Sequence, residues 1–176
     1  MKKAMINYMK NPKNDELYTP KEAILPLIKY IENLTHKKKD IVIWECTDFG
    51  NSEITKTFKE HGFPNVFGTH INEGFNFLND EPNFEFDIII TNPPYSIKDK
   101  FIQRCYELNK PFCLLLPITT LEGMKRGEMF RKHGIEVLVL DKRINFMKSK
   151  KNCWFNTSWF CNNVLNEKLI FEKVVK

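Results

Sequence analysis

The sequence predicts an α/β fold in which a mostly parallel, doubly wound sheet carries helices on both faces and is closed by a C-terminal antiparallel hairpin. Three observations carry this reading. Short apolar runs, of the kind buried on both faces of a sheet, alternate with segments of helical periodicity from residue 20 to residue 140. The C-terminal part breaks that rhythm: Cys153 to Cys161 and Lys168 to Val174 are aromatic or β-branched runs with only Asn162-Asn163 as a break and no helix between them. Finally, 176 residues at 42% hydrophobic content, including fifteen Phe, suffice for one packed domain and leave little room for a second.

The elements follow in order. Residues 1–17 are polar and turn-rich (Asn11, Pro12, Asn14, Asp15) and read as an N-terminal arm that orders against a partner surface, leaving 18–176 as the single domain. From Pro20 to Leu34 the apolar Ala23, Ile24, Leu27, Ile28 and Ile31 recur at helical spacing; Pro20 suits the first helical turn and Pro26 is a point where the helix can kink. Asp40 to Glu45 is a buried strand, followed by a polar, Gly-containing turn and a helix from Ser52 to Glu60. Asn65 to Thr69 and Phe86 to Thr91 are the next strands, the second running into Asn92-Pro93-Pro94-Tyr95. A helix over 97–108 leads to the strand Phe112 to Leu116, and a helix over 121–132 leads to the strand Ile135 to Leu140.

Composition excludes several function classes. Five Cys, odd in number and without a C-x-x-C, and four His far apart argue against a disulfide framework or a zinc site, so a reducing cytoplasm is the expected setting. The N-terminus lacks an apolar run long enough for a signal peptide or a membrane span. A net charge of +5 suits a polyanionic partner without requiring one, and Lys37-Lys38-Lys39 reads as a solvated loop.

In an open α/β sheet, ligands bind beyond the carboxyl ends of the strands, which directs attention to Thr91-Asn92-Pro93-Pro94-Tyr95-Ser96. The chemistry of an exocyclic amine explains such a turn. Its lone pair is delocalised into the base, so the nitrogen is a poor nucleophile. The Asn92 side-chain oxygen and the following backbone carbonyl are acceptors that can hold both amine protons and localise the lone pair toward an electrophile. Pro93 and Pro94 fix φ and bring no N–H donors, so the turn is stiff and acceptor-rich. Tyr95 offers a flat face for an extruded base. The competing structural reading is an ordinary Pro-Pro turn with Tyr95 in the core wall.

With these residues the chain resembles the N6-adenine DNA methyltransferases, whose motif is Asp or Asn, then Pro-Pro, then Tyr or Phe. The likeness runs from about Tyr18 to Phe160. The resemblance implies a Rossmann-like methyltransferase fold, S-adenosyl-L-methionine as cofactor, and methyl transfer to N6 of adenine in DNA, with Asn92, Pro93, Pro94 and Tyr95 as the catalytic turn. Tyr18-Thr19-Pro20 matches the family segment that packs near the cofactor ahead of the first helix; the local alternative is a helix start with Thr19 as N-cap. Glu45 to Ser52 stands where the family has an acidic residue and a Gly-x-Gly turn, so Glu45, Thr47 and Gly50 are expected at the cofactor, although only one glycine is present and Ser52 takes the second glycine's place. His70 stands where the family places an acidic residue for the ribose hydroxyls, and Asn76, before Phe77-Leu78, where it places one for the cofactor's adenine. Neutral His can accept from a hydroxyl and the Asn carbonyl from an amine.

On the acceptor side, Lys110 to Pro117 is similar to the family's next strand. Arg143-Ile144-Asn145-Phe146, with Trp154-Phe155 and Trp159-Phe160, is similar to its substrate loop and hairpin. Arg143, Phe146 and Tyr95 are the expected substrate contacts, a hairpin core being the alternative for the aromatics. Only 35 residues follow Asp141, too few to read a long site, so specificity is expected from the loop Arg143 to Lys151, from a specificity subunit or a second copy, or from a structured RNA. Two further readings stay open: methylation of an RNA adenine or a protein glutamine, and a methyltransferase-like binding module whose altered Gly50 turn and His70 no longer support turnover.

Overall fold

The computed structural model describes residues 18–146 and 155–174. The expected arm over 1–17, Cys153, Trp154 and most of the loop Arg143 to Lys151 lie outside them. Seven strands form one sheet, β1 (Ile43–Glu45), β2 (Val66–Gly68), β3 (Ile88–Thr91), β4 (Phe112–Pro117), β5 (Glu136–Leu140), β6 (Thr157–Asn162) and β7 (Leu169–Glu172), in the order β2-β1-β3-β4-β6-β5-β7. The helices are α1 (Lys21–Glu32), α2 (Glu53–Glu60), α3 (Lys98–Leu108) and α4 (Met124–His133), with 3-10 turns at Ile71–Glu73, Tyr95–Ile97 and Ile118–Leu121. The alternation read from the sequence is present. Strands are shorter at their starts than the apolar runs suggested, because Val42 serves as an edge anchor: its carbonyl accepts from Asp87 and Ile88 and its N–H donates to the Asp87 carboxylate.

Side chains on successive strand positions enter opposite layers, as the period of two requires. Ile43, Ile88, Ile90, Cys113, Leu115, Leu138 and Trp159 join the core beneath α1 and α2. Trp44, Ile89, Leu114, Leu116, Val137 and Phe160 join a second core with α3 and an aromatic loop. The fold is a three-layer α/β/α sandwich. Trp159 is fully buried, and its indole N–H donates to the Ala23 carbonyl, 2.7 Å, tying the sheet to α1.

Two local expectations are corrected. Pro20 is the N-cap of α1, with φ −76° and ψ 149°, rather than a residue of its first turn. Thr19 makes no cap; it is buried against the domain. At the C-terminal end the sheet has the expected antiparallel element, but β6 and β7 do not pair with each other. β6 is inserted antiparallel between β4 and β5, and β7 lies parallel beside β5 on its far side. The cause is at the buried Glu136, whose carboxylate accepts the backbone N–H groups of Asn163, Val164 and Leu165. Because β6 runs against its neighbours, it ends beside the start of β5. The Glu136 clasp carries the chain across that end, and β7 then runs alongside β5 without a long crossover.

Candidate active site

The strand order places a topological switch point at β1: the chain leaves β1 for β2 on one side and returns to β3 on the other. Beyond the carboxyl ends of these three parallel strands lies a cleft of about 280 Å³. Small-molecule sites run from roughly 300 Å³ upward, so the space suits one ligand of modest size.

Three segments build the cleft. The turn after β1 contributes Glu45, Cys46, Thr47, Phe49, Asn51 and Ser52; the segment after β2 contributes His70, Ile71, Asn72, Phe75, Asn76, Phe77 and Leu78; the turn after β3 contributes Asn92, Pro94 and Ile97. Tyr18 and Thr19 close one end, and Glu53 and Phe101 reach in from α2 and α3. Of the residues expected from sequence, the cleft therefore gathers Tyr18, Thr19, Glu45, Thr47, His70, Asn76, Phe77, Asn92 and Pro94. Pro20, Gly50, Pro93, Tyr95, Arg143 and Phe146 are not part of its wall.

Four of those six are placed as follows. Gly50 adopts φ +81°, and a Cβ there would meet no protein atom within 4 Å, so within the chain this glycine answers to backbone conformation and not to packing. Tyr95 is 5% exposed and stands edge-on to Phe155 at 5.4 Å between ring centroids. Phe146 is buried in the layer under α1, near the same Phe155. Arg143 is exposed, and its Nε donates to Asn156 at 2.9 Å. Trp159 and Phe160 are core residues.

The turn after β1 is organised by one buried carboxyl. Glu45 Oε1 accepts from Thr47 N at 3.0 Å, Thr47 Oγ1 at 2.9 Å and Thr91 Oγ1 at 2.6 Å, while Oε2 accepts from Ser52 Oγ at 2.6 Å. Burial pushes the carboxyl up from its ordinary value, against the lowering pull of the hydrogen bonds from Ser52, Thr91 and Thr47. Ser52 also accepts from Ile54 N as the N-cap of α2. Asp48 accepts from Ser52 N and Thr55 Oγ1, and it packs on β2 so tightly that a Cβ at Gly68 would stand 2.8 Å from the Asp48 Cβ. Burial pushes the neighbouring Cys46 thiol far up, so it presents a neutral S–H to the cleft.

The segment after β2 displays its polar groups in a specific sense. His70 Nδ1 accepts from Asn72 N at 3.1 Å, capping a 3-10 turn. In the neutral ring this makes Nε2 the N–H donor. Asn76 Oδ1 accepts from Leu78 N, leaving the Nδ2 amide hydrogens as the group most able to meet a ligand. Both positions offer donors where the sequence reading had looked for acceptors. Arg104 on α3 holds this wall by donating to the Phe77 and Asp80 carbonyls and to Glu81. Ile71, Asn72, Phe75 and Phe101 were not legible as cleft residues: the first three lie in irregular chain without periodicity, and Phe101 reads as an ordinary apolar position of a helix. Among the described residues no group of three or more His, Cys, Asp or Glu could hold a metal ion, and no helix is long and apolar enough to cross a membrane.

No protein-family model and no curated protein sequence matches the chain. Solved structures do share its fold. A type I restriction-modification methyltransferase subunit from Streptococcus thermophilus aligns over 90% of this chain and 47% of its own, with a TM-score of 0.56 and 18% identity. A putative class I S-adenosylmethionine-dependent methyltransferase from Listeria monocytogenes aligns over 99% of this chain and 72% of its own, with a TM-score of 0.58 and 13% identity. The 23S rRNA methyltransferase ErmE aligns over 80% and 70%, with a TM-score of 0.50 and 15% identity. The chain spans about half the length of the type I subunit. The architecture is the Rossmann-like methyltransferase fold, with a mostly parallel seven-stranded sheet.

Proposed function

We propose that the protein is an S-adenosyl-L-methionine-dependent methyltransferase acting on the exocyclic N6 amine of adenine in DNA. The observation that carries this reading is the meeting, in one cleft, of Asn92 and Pro94 with the turn after β1 and the Phe75-to-Leu78 wall. A cofactor site and an amine-holding turn that share a cleft are what group transfer needs.

The residues present fit the cofactor. Phe75 and Phe77 offer apolar faces for its adenine, with the Asn76 amide at the edge; the His70 Nε2–H suits a ribose oxygen; Thr47 and Asn51 line the other end with polar groups. When bound, S-adenosylmethionine supplies a methyl group activated by its sulfonium. The chain's own part is to present the acceptor. The Asn92 carboxamide oxygen, in the cleft wall, would accept a hydrogen bond from one amine N–H, and the Pro93 carbonyl, which follows it just outside that wall, would be the second acceptor, so that the nitrogen lone pair is localised on the amine. Residue 92 is an amide and not a base, so the proton released after transfer leaves to water. Pro93 and Pro94 hold the acceptors without offering competing N–H groups.

DNA is proposed as the acceptor because the chain shares its fold with a subunit of a type I restriction-modification system and carries a net charge of +5. An association with a specificity subunit belongs to the same proposal, because the fold is shared with a methyltransferase subunit of a type I restriction-modification system. The test is calorimetry with S-adenosylmethionine on wild type and Asn92→Ala. Micromolar binding by both, with transfer reduced by about 100-fold or more in the variant, is expected. Undetectable binding at millimolar concentration would instead indicate a binding module, and full activity in Asn92→Ala would sink the mechanism.

A further inference from the structure

The buried core of the site contains a proton count that does not close if Glu45 is a carboxylate. Glu45 Oε1, Thr47 Oγ1 and Thr91 Oγ1 form a triangle with sides of 2.9, 2.7 and 2.6 Å. Each side is hydrogen-bond length, and a proton of its own on every side takes three. The two hydroxyls bring one each. An ionised Glu45 would take both and leave the two threonine oxygens 2.7 Å apart with nothing between them. A third proton on Glu45 turns one of these bonds round and closes the ring, each oxygen then donating once and accepting once within it while Oε1 still accepts from Thr47 N.

We infer that Glu45, Thr47 and Thr91 form a closed, proton-sharing ring that makes Thr91 the positioning residue of Asn92 and links the cofactor turn to the amine-holding turn. The inference rests on the proposed methyl-transfer reading for its consequences, but the ring itself is a property of the chain.

Three features support it. Thr91 is fully buried and is the last residue of β3, one peptide unit before Asn92. Its hydroxyl touches Glu45 and Thr47 within the ring and the buried Cys46 thiol beside it. Glu45 in turn holds Ser52, the N-cap of α2, so the ring joins the end of β3, the turn after β1 and the start of a helix. Glu45 Oε1 is fully engaged and Oε2 already accepts from Ser52, so this residue acts on a ligand chiefly through the groups it places. Burial, which raises the carboxyl's proton affinity, works in the same direction as the count.

The experiment uses the full chain with Thr91→Val, Thr91→Ser, Thr47→Val and the Thr47→Val/Thr91→Val double variant. Urea denaturation of the four forms of the valine cycle tests the ring without any activity. Opening the ring with either substitution is expected to make the second one cheaper, so the product of the two single effects on the unfolding constant exceeds the double effect by about threefold or more. Additive effects overturn the ring. Infrared spectra of wild type and Glu45→Gln at neutral pH test the third proton: a protonated-carboxyl band lost in the variant supports it, and its absence from wild type overturns it. Kinetics test the positioning role. Thr91→Val is expected to lower kcat about tenfold or more with the cofactor KM within about threefold of wild type, and Thr91→Ser to restore kcat to within about threefold. If Thr91→Val fails to fold, Thr91→Ala, which removes the same hydroxyl without added bulk, carries the same kcat prediction. Unchanged kcat, or equal losses in the serine and valine variants, would overturn positioning. If wild type transfers no methyl group, the functional proposal falls while the denaturation cycle and the infrared band still decide the ring.

Discussion

Glu45 gains its proton affinity from burial, and this gives stability a definite dependence on pH. Its folded-state pKa is raised above the ordinary carboxyl value. The unfolded chain therefore releases this proton at lower pH than the folded chain. Between the two values the folded state binds more protons, so stability is fully present below the ordinary carboxyl range and falls as pH rises through the raised value, at up to about 1.4 kcal/mol per pH unit. Urea denaturation across pH should show this decline in wild type and its removal in Glu45→Gln, which cannot ionise. A decline of equal slope in the variant would assign it to another group. Glu45 was legible in the sequence as an acidic residue closing a strand. Its hydrogen-bond partners were not, because Thr91 is remote in sequence and Thr47 and Ser52 gain their meaning only once the turn is folded. His70 and Asn76 teach the same lesson: their identities were plain, but whether they present donors or acceptors depends on the backbone N–H groups of Asn72 and Leu78.

The wall of the cleft after β2 is irregular chain held by side-chain hydrogen bonds more than by a sheet ladder. Asn76 accepts from Leu78 N, Asp80 accepts from Asn76 N, and Arg104 reaches from α3 to Phe77, Asp80 and Glu81. Arg104→Ala removes three donated bonds outside the cleft and should loosen the wall more than the fold. Cofactor affinity is expected to fall by roughly tenfold, about 1.4 kcal/mol, with overall stability reduced by no more than about 2 kcal/mol. Calorimetry together with urea denaturation reads both, and unchanged affinity would show that the wall holds itself. Regular elements were the most legible part of the chain. Apolar spacing located α1, the strand-helix alternation located the other three helices of the described residues, and the Asp-Ile-Ile-Ile run located β3. The boundaries differ where tertiary contacts decide them: α4 starts later than its periodicity suggests because Ile118–Leu121 forms a separate 3-10 turn, and Pro20 sits outside α1 because its ψ is extended. The pairing of β6 with β4 and β5 was not legible, since it depends on Glu136 capturing three amides some 28 residues away.

Across the molecule, one sheet brings together segments that begin near residue 18 and end near residue 101, and it does so at the point where its strand order reverses around β1. That placement brings Asn92 and Pro94 of the Asn92-Pro93-Pro94-Tyr95 turn into one wall of a ligand-sized cleft. It also separates the catalytic turn from the expected substrate contacts: Asn92 and Pro94 line the cleft, whereas Tyr95 and Phe146 pack with Phe155. The fold class was readable from the alternation of buried strands and helices; the cofactor residues and the acceptor class are proposals, argued from the place after β1 and from the chemistry of the turn. Incubating the protein with methyl-labelled S-adenosylmethionine and, in parallel, adenine-containing DNA, RNA and a glutamine peptide, then identifying the labelled product, tests the account most directly. It predicts N6-methyladenine in DNA, formed by wild type and lost in Asn92→Ala; label on another acceptor, or the same label in Asn92→Ala, would contradict it.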